Sequence, residues 1–167
     1  MDLKQVTKSQ YLAALAMLQQ AIEKCPDAVW VDEQEQNQFW HTAYHALFYT
    51  HLYLQPTEAD FVPWYKHNEK ARSLAIKAES DASTAVDEKP YTKDEVLEYL
   101  AFCQHQVEAV VDTLNFADES GFYWLPFTKL ELQFYNIRHL MQHTGELYER
   151  LWARCKIELP WVGQKPA

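Results

Sequence analysis

The sequence predicts an all-α protein, a four-helix bundle with a long crossover connection between its second and third helices. Three observations lead there. Four stretches repeat apolar residues at spacings of three and four, the period of a helix that buries one face. Three glycines in 167 residues provide poorly for the tight turns of sandwiches and barrels. Hydrophobic residues make up 48% of the chain, with ten Tyr, eight Phe and six Trp, which suits a folded core rather than a disordered chain. At this length a single domain over 1–167 is expected.

The first helix is expected from about Lys4 to Lys24. Tyr11, Leu12, Leu15, Leu18 and Ile22 form its apolar stripe, Thr7 or Ser9 its start signal, and Pro26 lies just beyond it. The second is expected to begin near Asp32, with Glu35 as a reciprocal capping partner, and to stop before Pro56. Phe39, Trp40, Ala43, Tyr44, Leu47, Phe48, Leu52 and Leu54 occupy most of its circumference, so it should be buried. Residues 55–90 read as a long connection, with a short helix around Asn68 to Ala78 and an exposed polar run, KAESDASTAVDEKP. Such a connection can cross the end of a bundle, so the helices it joins need not be antiparallel neighbours. Thr92 and Glu95 form a capping box for the third helix, which carries Val96, Leu97, Leu100, Phe102, Val107, Val110, Val111 and Leu114. The loop NFADESGFYWLPF ends it. Thr128 and Glu131 cap the fourth helix, read from Thr128 to Arg150, and the tail from about 159 should be irregular.

The balance of 15 basic and 24 acidic residues gives a formal charge of −9. No basic run is present to displace counterions from phosphates, so nucleic acid is excluded as the main ligand. The opening MDLKQVTKSQ lacks the apolar core of a signal peptide, and no apolar run approaches the length of a membrane span. Cys25, Cys103 and Cys155 form no CxxC pair and fit reduced thiols, so the expected address is the cytoplasm. The aromatic content leaves room for a homodimer.

The histidines carry the chemistry. Seven scattered at random would give well under one HxxxH pair, and this chain has two, HTAYH at 41–45 and HLMQH at 139–143. Residues four apart on a helix leave the same face, about 40° apart around the axis, so both rings of a pair can converge on one ion. Clustered imidazoles in an apolar core are costly unless they bind one another, a carboxylate or a metal. Spacing alone leaves two readings open, a metal site or satisfied core histidines.

The segment ELQFYNIRHLMQHTGELYERL resembles the closing helix of the DinB-like family of bacterial four-helix bundles, which typically reads NLRHxxxHxGQL. FWHTAYHALFYTHLYL is similar to the family's second helix, with its WxxxYHxLFxxDLYL pattern. The likeness covers most of the chain and is weakest at 57–90 and after Glu158. It implies a three-histidine site made by His45, His139 and His143, holding a divalent ion, commonly zinc or nickel, with water in the open positions. Three protein nitrogens and an exchangeable position is the open type of coordination. His41 is a further candidate, as a ligand or as a partner of one. Glu146, where the family usually has Gln, could orient a ligand ring, serve as a base, or hold Arg150. Asn136 shares the site's face, and His51 stands where the family often has Asp. His67 and His105 read as ordinary surface or half-buried residues, and the three cysteines as structural thiols.

Two classes of function follow from the resemblance. One is a metal-dependent enzyme acting on a small molecule, either a hydrolase using metal-bound water or a thiol S-transferase or isomerase. The other is a stress-associated metal-binding or interaction protein without turnover.

Overall fold

The computed structural model describes residues 2–74 and 89–165. Five α-helices occupy them: α1 (Leu3–Lys24), a single turn α2 (Asp27–Trp30), α3 (Phe39–Leu54), α4 (Lys93–Val110) and α5 (Lys129–Cys155). Short 3-10 turns lie at Glu58–Asp60, Glu69–Arg72 and Val111–Thr113. The four long helices form the expected bundle. Round it, α1 packs on α4 and α5, and α3 packs on the same two, so that α1 and α3 face each other across a diagonal with little contact.

Helix α1 buries Tyr11, Leu12, Leu15, Leu18 and Ile22 as its spacing requires. Its start differs from expectation. Asp2 is the cap, accepting from the backbone N–H of Lys4 at 2.9 Å and of Gln5 at 3.3 Å. Thr7 and Ser9 lie inside the helix, and the Thr7 hydroxyl donates back to the Leu3 carbonyl at 2.7 Å.

A larger correction falls on α3, which begins at Phe39 rather than near Asp32 and has no side-chain cap. The Asp32 carboxylate accepts from the Gln34 N–H at 2.9 Å and closes a turn. Asp32 and Glu35 both bind Arg154 of α5, Glu35 at 3.0 Å. Arg150 donates to the Asn37 carbonyl at 2.9 Å. The capping pattern was present, but its carboxylates serve arginines more than a hundred residues away.

At α4 the capping box forms as read: the Glu95 N–H donates to the Thr92 hydroxyl at 3.2 Å, and the Thr92 N–H to the Glu95 carboxylate at 2.9 Å. Thr128 caps α5 through the Glu131 N–H at 3.3 Å, and the helix runs five residues past Arg150. The tail after Lys156 has no regular structure as far as Lys165. The helix expected at Asn68 to Ala78 is a 3-10 turn, Glu69–Arg72; its remainder, and most of the polar run, lie outside the described residues.

Two loops are locked together beside the bundle. Lys129 is buried, and its ammonium donates to the carbonyls of Pro56 at 2.6 Å, Gln55 at 3.3 Å and Ser120. Gly121 adopts φ +84° against the same strand of chain, and a Cβ there would sit 2.1 Å from the Pro56 oxygen. Only glycine fits.

Candidate metal centre

His45 leaves α3 and His139 and His143 leave α5, the two helices packed face to face. The three rings meet. Nε2 of His139 lies 3.2 Å from Nε2 of His45 and 3.2 Å from Nε2 of His143. One ligand atom from each falls within 4.8 Å of the other two. His45 and His143 are buried and His139 is half-buried.

The far side of each ring fixes where its hydrogen sits. His45 Nδ1 lies 2.7 Å from the Arg72 carbonyl, which only accepts, so Nδ1 carries the hydrogen and Nε2 presents a lone pair. His143 Nδ1 lies 2.9 Å from the Glu146 carboxylate, with the same consequence. His139 Nδ1 is buried and, among the described residues, has no partner. With all three rings in the neutral form that ligates a metal, the three facing nitrogens share at most one hydrogen, that of His139. It can serve one of the two 3.2 Å contacts and leaves the other as lone pair against lone pair. A cation between them removes that conflict. Nitrogens bound at roughly 2.0–2.1 Å around one tetrahedral ion lie about 3.3 Å apart, close to the two spacings that His139 makes with His45 and His143.

Burial pushes the His45 pKa down to about 3, against the opposing bond to the Arg72 carbonyl and with smaller lowering contributions from His143 and His139. Burial likewise lowers His139 to about 4. Both rings are neutral at physiological pH, the form that ligates metals. Burial raises the Glu146 carboxyl, but hydrogen bonds from His143 and Gln142 outweigh it and hold its pKa below the ordinary value.

The other candidates sort themselves. Glu146 orients His143 and is not paired with Arg150, which turns to Glu35 and Asn37. His41 stays outside the group: its Nε2 meets the Ala71 carbonyl at 2.8 Å and its ring stacks on Trp40. Asn136 is buried and donates to the Thr50 carbonyl at 3.1 Å, joining α5 to α3 rather than touching the site. His51 is a core histidine against Tyr99 and Phe102, with a pKa lowered to about 4 by burial. His105 is on the surface. The thiols are free; burial raises Cys25 to about 12 and Cys103 higher still, so neither is a ready thiolate.

One feature of the site has no counterpart in the sequence reading. The segment from His67 to Arg72 forms a strap held by three polar side chains of α3. His41 takes the Ala71 carbonyl, Tyr44 bonds His67 Nδ1 at 2.6 Å, and His45 takes the Arg72 carbonyl. His67 Nε2 in turn meets Glu69 at 3.1 Å, and Glu69 pairs with Arg72 at 2.8 Å. Backbone carbonyls belong to every residue, so no motif announces them. The one available signal was a Tyr between two His on the helix and a further His in the connection.

The family model described as the DinB superfamily matches residues 10–147, from the first helix through both histidines of α5. Neither the comparison with curated proteins nor that with solved structures gives a match. The family match spans more than half of the sequence and agrees with the helical fold and the three-histidine cluster, and the chain belongs to the DinB superfamily.

Proposed function

We propose that the protein is a metal-dependent enzyme in which His45, His139 and His143 hold one divalent ion, zinc or nickel, and that it acts on a small thiol as an S-transferase or isomerase. The observation that carries the metal is the convergence of three Nε2 atoms that share at most one hydrogen. When bound, such an ion supplies Lewis acidity, lowering the pKa of a water or thiol that joins it.

The surrounding residues favour thiol over water as the reacting group. Hydrolysis calls for a carboxylate or imidazole free to take a proton beside the ion. Glu146, the carboxylate on this helix face, is occupied: one oxygen holds His143 and the other holds Gln142. Among the described residues no carboxylate joins the three nitrogens. A thiol needs no such base, because its own pKa brings it near ionisation. No helix of the described residues is long and apolar enough to cross a membrane, and free thiols fit a cytoplasmic address.

The test begins with elemental analysis of untagged protein. Wild type is expected to hold about one ion per chain, and His143→Ala almost none; equal metal in both would remove the site. Wild type should then transfer mercaptoethanol to chlorodinitrobenzene and stop on chelation. Chelator-sensitive cleavage of activated esters in its place would move the reading to a hydrolase. Inertness in both assays, with a large loss of thermal stability on metal removal, would make the ion structural.

A further inference from the structure

We infer that the pocket beside the three histidines receives an apolar, ring-bearing tail, so that the substrate is an anionic donor, a thiolate above all, joined to an aromatic group by a short linker. This rests on the three imidazoles holding an ion. The pocket has a volume of about 410 Å³, in the range of small-molecule sites. None of the three histidines lines it, but two of its wall residues touch their rings. The Tyr49 ring is part of its wall and lies 4.8 Å from the His45 ring and 5.3 Å from the His139 ring. Arg72, another wall residue, holds His45 through its carbonyl.

The walls state what they accept. Phe48 stands at 86° to Tyr49 and at 82° to Phe61, and Tyr123 at 88° to Trp124. Perpendicular pairs offer both faces and edges, the two ways a flat ring is received by aromatic neighbours. Tyr123 and Trp124 are 88% and 39% exposed, large rings left in water at the rim of this pocket. An occupant would cover part of that area.

Charge excludes the alternatives. The charged groups on the walls, among the described residues, are Arg72, Glu69 and Glu58. Arg72 and Glu69 neutralise each other at 2.8 Å. An anionic tail would meet Glu58, and a cationic one would lie close to the divalent ion. An uncharged tail meets neither penalty. The donor end is set by the ligands: three neutral imidazoles leave the ion its full charge, which favours an anion. Tyr49 is one helical turn beyond His45, roughly 5–6 Å along α3, which a two-carbon linker spans.

The test uses cobalt-loaded protein titrated with phenylethanethiol and with ethanethiol, reading thiolate-to-cobalt absorption. Phenylethanethiol should bind about tenfold more tightly than ethanethiol. The combined Tyr123→Ala and Trp124→Ala variant, altered only at the exposed rim, should lose most of that preference and keep its ethanethiol affinity. Equal affinities in wild type, or a preference undiminished in the variant, would overturn the pocket while leaving the ion in place. Absence of any thiolate absorption in protein shown to contain cobalt would overturn the proposal from beneath.

Discussion

At the scale of single residues, the decisive groups are those on the far side of each ligand ring. A carbonyl behind His45 and a carboxylate behind His143 turn two imidazoles into oriented lone pairs. Partners of this kind set ring orientation and basicity, and their loss typically weakens metal affinity 10–100-fold. Glu146→Ala should therefore weaken binding by about tenfold or more, measured by competition with a chromophoric chelator. Glu146 is half exposed, so the fold should survive the change, and unchanged affinity would show that Glu146 does not orient the ring. His139 lacks such a partner among the described residues, and its ring is held by packing against Tyr49 and His45.

At the scale of elements, the informative case is the turn between α2 and α3. It is tied to α5 by Arg154, which bonds both Asp32 and Glu35. The Asp32 pKa is lowered, first by the Gln34 N–H and then by Arg154. A carboxyl whose folded pKa is depressed adds stability above its unfolded pKa and loses it as pH falls through the folded value. Arg154→Ala should thus be less stable than wild type near neutral pH. The gap should narrow as pH drops from about 6 to about 3, read by urea unfolding across that series. A gap independent of pH would assign the effect to packing of the arginine stem. The same element shows why the sequence predicts too early a start for α3: D-x-x-E before an apolar run is the local signature of a helix start. Nothing local reveals that the carboxylates are claimed elsewhere. At α4 the Thr92 and Glu95 side chains bond each other's backbone, and the same signature reads correctly.

At the scale of the whole molecule, the site joins helices whose contacting histidines lie 94 residues apart in sequence. An ion bound only by the folded chain stabilises it by mass action, about 2.7 kcal/mol at a free concentration one hundred times the dissociation constant. Chelation should lower the melting temperature of the loaded protein and leave that of His45→Ala unmoved, as calorimetry would show. Equal responses of the two proteins would mean that the ion binds elsewhere.

What the sequence determined by itself is the four long helices and the placing of His139 and His143 on one helix face. Both are periodic properties: the 3.6-residue turn brings Leu12, Leu15 and Ile22 to one face and His139 and His143 to another, whatever the rest of the chain does. The resemblance to a family added the one non-local statement, that His45 faces the pair. Tertiary structure alone decided the roles of the polar groups around them. His41 and Glu146 carried similar weight in the sequence, yet one clasps the Ala71 carbonyl and the other orients a ligand ring. A buried polar atom must be satisfied by whatever group folding brings within about 3 Å. Which carbonyl or carboxylate that is depends on segments remote in sequence, and residue type does not encode it.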